Sequence, residues 1–150
     1  MPQKITTFLT YAAQAEEAAK HYTSIFDGKI VSTMGPPGKA VSVTFELFGQ
    51  MYIALNGGPT FTFSQGMSLF VSCDTQTEID TYWEKLTDGG KEVQCGWLVD
   101  KFGVSWQIIP KVLGSLLGDK DPAKSGRAMQ AMLKMKKLDI AALERAHAGD

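Results

Sequence analysis

The segment QCGWLVDKFGVSWQIIP, residues 94–110, has the composition of a β-hairpin. Residues 98–99 lead into Asp100-Lys101-Phe102-Gly103, where a charged pair and a glycine reverse the chain. Residues 104–109 are rich in β-branched and aromatic side chains and predict a strand, which Pro110 is expected to end. Two tryptophans and a glutamine in so short a span suit either the wall of a pocket or an ordinary core strand, and the pattern leaves both open.

The sequence pattern predicts the same order of elements twice along the chain, and the second copy ends in this hairpin. Strands are predicted at 5–11, 29–34, 41–48 and 51–55 with a helix at 14–26, and again at 67–74, 91–93, 98–99 and 104–109 with a helix at 76–86. Asp27-Gly28 is expected to close the first helix, with the glycine in the left-handed conformation.

An internal duplication explains this repeated order. A shift of 62 positions aligns Phe8 with Phe70 and Gly28 with Gly90. It also aligns Gln14 with Gln76, each at the start of a predicted helix. The identities are few, so chance similarity is the alternative, but they follow one element order. We therefore interpret the chain as two β-α-β-β-β modules.

Composition bounds the class of protein. The 150 residues are 44% hydrophobic and 21% charged, with a formal net charge of −1, which is typical of a globular protein and gives no sign of nucleic-acid binding. No apolar run is long enough for a signal peptide or a membrane span, so we expect a cytoplasmic protein. Cys73 and Cys95 lack metal-type spacing. They could pair, but reduced thiols are the preferred interpretation.

We expect three segments within one compact domain: a first module at 1–62, a second at 63–113 and a helical extension at 114–150. Asp121-Pro122 and Asp139 each mark a helix start in the extension. The predicted class is α+β, with curled mixed sheets around a cavity.

These motifs resemble the vicinal oxygen chelate superfamily, which includes glyoxalase I, bleomycin-resistance proteins and extradiol dioxygenases. Leu55-Asn56-Gly57-Gly58-Pro59, residues 94–97, residues 100–107 and residues 129–135 resemble its PhnB-like branch, which often carries the domain label 3-demethylubiquinone-9 3-methyltransferase. The resemblance extends into the C-terminal helices. It implies a cavity on the concave face of the sheets and a homodimer.

Metal-dependent members of the superfamily hold a divalent ion with two His and two Glu. Carried over, these positions fall at Thr6 or Thr7, Ala54, Ser68 and Gln107, with the register uncertain by about one residue. None is a His, Asp or Glu, and neutral hydroxyls with one amide make a poor metal site. The resemblance therefore implies a cavity without metal or other cofactor.

A methyltransferase activity lacks a matching motif. Such an enzyme needs a glycine-rich turn from a strand into a helix, where the backbone approaches the cofactor. Gly57-Gly58 leads instead into a Pro-Thr-Phe loop, and Gly89-Gly90 follows a helix. Whether the protein is an enzyme stays open.

Two residues are weak catalytic candidates. Cys95 has no His or Lys beside it in sequence to activate a thiol. Glu46 alternates with apolar neighbours and would be a general base if it faced the cavity. Asp100 is expected to serve the turn instead.

The leading hypothesis is a homodimeric, metal-free protein that binds a small molecule. Its predicted ligand-binding residues are aromatic side chains and four polar ones: Phe8, Tyr52, Phe70, Trp97 and Trp106, with Thr6, Asn56, Ser68 and Gln107. One alternative is a metal-dependent lyase or oxidoreductase whose ligands, such as Glu46 or His21, are displaced. Another is a dimerisation module without ligand.

Overall fold

The first unit of the fold is a four-stranded sheet with one helix. A computed structural model describes residues 3–150, which divide into one unit ending at Phe63 and another at Ser64–Asp150. The elements of the first unit are β1 (Thr7–Tyr11), α1 (Ala15–Ile25), β2 (Lys29–Met34), β3 (Ser42–Leu47) and β4 (Gln50–Asn56). The strand order is β1-β4-β3-β2, with β1 parallel to β4 and the other pairs antiparallel.

The second unit repeats this architecture and adds three helices. Its elements are β5 (Ser68–Cys73), α2 (Gln76–Thr87), β6 (Lys91–Glu92), β7 (Trp97–Val99), β8 (Ser105–Pro110), α3 (Val112–Leu117), α4 (Pro122–Leu133) and α5 (Ile140–Ala148). The order β5-β8-β7-β6 matches that of the first sheet. The predicted α+β class with two mixed sheets is confirmed. Pro110 does not end the strand from outside, as expected, but is the last residue of β8 and pairs with Cys73 of β5. The hydrogen bonding between the two strands continues at the next residue, where Lys111 N donates to the carbonyl of Cys73.

Two glycines show the repeat at atomic detail. A Cβ on Gly28 would approach the carbonyl oxygen of Glu46 in β3 more closely than real Cβ atoms do. A Cβ on Gly90 would meet the carbonyl oxygen of Val99 in β7 in the same way. Both positions therefore need glycine for close approach of two backbones. The expected left-handed conformation of Gly28 is wrong, because Asp27 takes it with φ of 50°.

One face of the first sheet is covered by α1. Alanines 15, 18 and 19 let the helix approach the sheet closely, while Tyr22 and Ile25 fill the remaining space. The Tyr22 ring lies 6.1 Å from that of Phe45, which stacks on Tyr52 at 5.4 Å. Residues of β3 are alternately buried and half-buried, as a strand covered on one face requires.

The second sheet is covered by α2 and by the C-terminal helices. Ile79, Trp83 and Leu86 of α2 are buried. The C-terminal helices form a separate apolar cluster with the end of β8: Ile109, Leu113, Leu116, Ala128, Leu138 and Leu143. This cluster explains why Ile109, on the same face of β8 as the half-buried Gln107, is buried. As expected, Asp121 and Asp139 accept hydrogen bonds from backbone amides as the N-caps of α4 and α5.

Gln76 joins the C-terminal helices to the second module. Its side-chain amide donates to the carbonyl of Leu138 at 3.0 Å and accepts from the backbone amide of Ile140 at 2.8 Å. Lys137 adds an ion pair to Asp80 at 2.9 Å. The extension is therefore part of the second unit. None of the helices within residues 3–150 is long and apolar enough to cross a membrane.

Candidate functional site

The candidate site lies on the face of the second sheet that points away from α2. Directly paired residues share a face, and the pairs here are Ser68 with Ser105, Phe70 with Gln107, Trp97 with Gln107 and Val99 with Ser105. We call these six residues the outer face. Their neighbours Leu98 and Trp106 point the other way and are buried. Four predicted ligand-binding residues, Ser68, Phe70, Trp97 and Gln107, are thus brought together.

A hydrogen bond fixes two polar groups of the outer face. The side-chain amide of Gln107 donates to Oγ of Ser68 at 2.9 Å, between neighbouring strands, and both side chains are half-buried. Phe70 lies opposite Gln107 and is 59% exposed. The result is a neutral polar pair beside a large exposed ring.

Three residues of the outer face, Trp97, Val99 and Ser105, line a cavity of about 300 Å³. Its lining is mainly apolar, with two amides, a thiol and a hydroxyl: Val93, Trp97, Leu98, Val99, Gln65, Gln94, Cys95 and Ser105. Ligand pockets of proteins usually measure about 300–1,000 Å³, so this cavity suits a small molecule.

Ser105 is the unusual member of the lining. It is only 2% exposed, and its Oγ has no hydrogen-bond partner within the described part of the chain. Leaving a buried hydroxyl unpaired costs about 1–3 kcal/mol. The Oγ is closed off from solvent, so an occupant of the cavity recovers this free energy once the Ser105 side chain turns toward it.

Cys95 lines the same cavity within a tight turn. Its backbone has φ of 62°, and its amide donates to the carbonyl of Met135 at 2.8 Å. Gly96 follows with φ of 85°, and its backbone amide donates to the carbonyl of Lys136. The turn is therefore held against the C-terminal extension. The other cysteine is inert, because burial raises the pKa of the Cys73 thiol to about 12.

Three predicted ligand-binding residues lie in the layer between sheet and helix instead. Tyr52 stacks on Phe45, and burial raises the pKa of its phenol. Trp106 is 2% exposed and donates from Nε1 to Oδ2 of Asp100 at 2.9 Å. Asn56 accepts from the backbone amide of Ala15 and donates to the carbonyl of Ala40, so it holds the start of α1. These three residues lie outside the candidate site.

Asp100 explains the inward position of Trp106. Oδ1 of this buried carboxylate accepts from the backbone amides of Phe102 and Val104 at 2.9 and 3.0 Å, and Oδ2 accepts from the indole. The expected role of Asp100 in the turn is confirmed.

In the first unit, Phe8 takes the position that Phe70 takes in the second. Phe8 pairs with Ile53, is 53% exposed, and points away from α1. Thr6 directly precedes β1 and is half-buried. Ala54, to which the resemblance carries one metal position, is fully buried beside Leu9 on the α1 side. Its neighbours Ile53 and Leu55 are apolar too.

Glu46 also points away from α1, since Phe45 and Leu47 on either side of it are buried. Its carboxylate lies 3.8 Å from Nζ of Lys29. It lines a second cavity of about 420 Å³ at the end of β3, together with Gly28 and Phe48. Glu46, a candidate general base, therefore has Lys29 as an ion-pair partner.

The donor set does not fit a divalent metal. Ser68 and Gln107 are neutral, and they are already bonded to each other. Residues 3–150 contain no group of three or more His, Cys, Asp or Glu placed to hold one ion. We therefore derive no chemistry through a metal.

The sequence prediction missed Val99 and Ser105, although a signal was present. Residues two apart in a strand share a face, so Trp97 implies Val99 and Gln107 implies Ser105. Gln65 and Gln94 lie outside strands and had no such signal.

Known proteins place this fold in a family. The family model described as 3-demethylubiquinone-9 3-methyltransferase matches residues 3–109. The PhnB protein of Bacillus cereus is 39% identical, with a TM-score of 0.67 over 72% of this chain and 99% of that protein. The chain belongs to the PhnB-like branch of the vicinal oxygen chelate superfamily.

More distant structures share the fold of this PhnB-like chain. A Pseudomonas aeruginosa protein, PA1353, is 17% identical with a TM-score of 0.62, over 73% of this chain and 98% of its own. The fosfomycin resistance protein FosX of Listeria monocytogenes, in complex with Mn(II) and sulfate, is 12% identical with a TM-score of 0.55, over 71% and 89%. No curated protein matches the chain. The matched family model ends before α3, so it does not reach the C-terminal helices.

Proposed function

We propose that this PhnB-like protein binds a small organic molecule at the outer face of the second sheet, without a metal. The observation that carries the proposal is the Gln107–Ser68 hydrogen bond. These residues fall where the resemblance places two metal ligands, and both are neutral. A glutamine in place of a glutamate keeps the shape of the side chain and removes the charge that a metal needs.

The surroundings of this pair support binding. Trp97 and Phe70 offer aromatic surface that a ligand would cover, and the cavity beside them is mostly apolar with a few polar groups. Most small-molecule sites have this combination. A pocket with fixed hydrogen-bonding groups loses less entropy when it binds.

The methyl transfer named by the family model has less support from these residues. Gly57-Gly58 follows β4 and leads into an irregular segment, and Gly89-Gly90 follows α2. Neither pair forms the strand-to-helix turn that brings a backbone to a nucleotide cofactor.

We also propose that the protein is a cytoplasmic homodimer. Large apolar side chains are exposed in the single chain, among them Phe8, Met34, Phe48, Met67 and Phe70. Exposed apolar surface of this extent often marks an interface. Sedimentation velocity tests the assembly: a species of twice the chain mass supports it, and a monomer at all concentrations contradicts it.

A thermal-shift screen with neutral, anionic and cationic compounds tests binding, because a ligand that binds only the folded state raises Tm. Compounds that raise Tm are measured again on Trp97→Ala, which alters the cavity. Phe61→Ala is the matched control, since it removes an exposed aromatic ring that does not line that cavity. Shifts lost only in Trp97→Ala support the proposal. No shift with any compound would favour a dimerisation module without ligand.

A further inference from the structure

The cavity of the outer face has no charged lining. Among the described residues that form it there is no Asp, Glu, Lys, Arg or His. We propose, on the basis of the function proposed above, that it selects an uncharged aromatic molecule bearing one hydroxyl, and that this hydroxyl pairs with Oγ of Ser105 after that side chain rotates toward the cavity.

Electrostatics favours an uncharged occupant. A charged ligand would lose hydration on entering a mostly apolar space and would find no opposite charge there, which is unfavourable. The apolar side chains of Val93, Trp97 and Val99 would instead gain from covering an aromatic ring.

The buried hydroxyl of Ser105 adds a chemical requirement. It can both donate and accept a hydrogen bond, and it has no partner in the described structure. A purely apolar occupant would leave it unpaired. A ligand hydroxyl would satisfy it, so the cavity should distinguish a phenol-type molecule from its hydrocarbon.

The turn that contributes Gln94 and Cys95 to the lining is preformed. The carbonyl of Gly96 accepts from Ile108 in β8 at 2.8 Å, and the amides of Cys95 and Gly96 donate to residues 135 and 136. The backbone of this turn is therefore positioned before a ligand arrives, which lowers the entropic cost of binding.

Nuclear magnetic resonance at pH 7 with ¹⁵N-labelled protein tests the inference. The probes are 2-naphthol, naphthalene, 2-naphthoate and 2-naphthylmethylammonium, which share one ring system and differ in charge and hydroxyl. We expect 2-naphthol to shift the signals of Val93, Gln94 and Ser105 and the indole of Trp97. The anion and the cation should bind about tenfold more weakly or worse, the equivalent of about 1.4 kcal/mol.

Ser105 variants test the hydroxyl. Ser105→Ala should weaken 2-naphthol about fivefold and leave naphthalene unchanged, because one hydrogen bond is lost. Ser105→Thr keeps a hydroxyl and should retain the preference. Unchanged spectra elsewhere confirm that both variants fold.

The outcomes separate this inference from the proposed function. Binding of the anion or cation as tight as that of 2-naphthol would overturn the inference, and so would equal loss of 2-naphthol and naphthalene in Ser105→Ala. Compounds that bind the outer face while 2-naphthol does not would overturn it as well and leave the proposed function standing. No binding by any probe or screened compound would overturn both.

Discussion

Gln107 donates its side-chain amide to the hydroxyl of Ser68 across β8 and β5 at 2.9 Å. This contact joins the last strand of the second module to its first strand. Both groups are neutral and half-buried, and their strand partners Ser105 and Trp97 line a cavity with no charged lining in the described structure. The resemblance carries two metal-ligand positions over to these residues, which we propose bind no metal.

The first prediction restores charge to this pair. Gln107→Glu combined with Ser68→His should create weak Ni²⁺ or Zn²⁺ binding, because a carboxylate and an imidazole would then share one face at hydrogen-bonding distance. Isothermal titration calorimetry on the double variant measures it. Gln107→Glu alone is the control and should bind far less. A double variant that binds no metal at all would contradict the placement of this pair.

The second prediction concerns the repeated glycines. Gly28→Ala and Gly90→Ala should each lower the free energy of unfolding by about 1–3 kcal/mol, because a Cβ would collide with the carbonyl of Glu46 or Val99. Urea denaturation measures the change. Gly126→Ala is the matched control: it lies inside α4 with open space around it and should raise stability by up to about 1 kcal/mol. If Gly28→Ala or Gly90→Ala left the free energy of unfolding unchanged, the result would contradict the close approach of the two backbones at that position.

The third prediction separates two glutamines that occupy equivalent positions in the two modules. Gln76→Ala should lower stability by about 1–3 kcal/mol and speed hydrogen exchange in α5, because it leaves Leu138 O and Ile140 N without their partner. Gln14→Ala should change little, since Gln14 is exposed and its side chain does not cap α1. Equal effects of the two substitutions would contradict the role of Gln76.

The fourth prediction is a pH dependence at Asp80. Hydrogen bonds from Gln76 and from Lys137 hold the pKa of this carboxyl below its ordinary value. A depressed pKa contributes stability above the unfolded value of about 3.9, and that stability is lost as the pH falls through the folded value.

The difference in stability between the parent and Asp80→Asn should therefore be constant near neutral pH and shrink below about pH 4. Denaturation at a series of pH values measures it. Lys137→Met, which removes one hydrogen-bonding partner, should reduce the dependence, and added salt should do the same because both side chains are well exposed. If the difference in stability between the parent and Asp80→Asn grew as the pH fell, the result would contradict a lowered pKa at Asp80.

The element order could be predicted because alternation, helical periodicity and the internal repeat agree. Gly28 and Gly90, 62 positions apart, occupy the same structural position in both modules. Strand position also placed Ser68, Phe70 and Gln107 together, since each lies in a strand whose pairing follows from the fold.

The face of the sheet on which each aromatic side chain lies was harder to predict. Trp106 lies beneath the sheet because Asp100, six residues away, holds its indole through a carboxylate that also closes the turn. Tyr52 lies against Phe45 because α1 covers that face. An aromatic side chain suits either face of a strand, so only the packing decided these two. The strand position of Ser105 could be predicted from Gln107, but its burial without a partner is a property of the folded state.

The metal content of the purified protein tests the central claim most directly. Plasma mass spectrometry after dialysis against buffer without chelator should find Mn, Fe, Ni and Zn far below one equivalent per chain, because Ser68 and Gln107 offer only neutral ligands. Any of these metals at one equivalent per chain that survives dialysis would contradict the account.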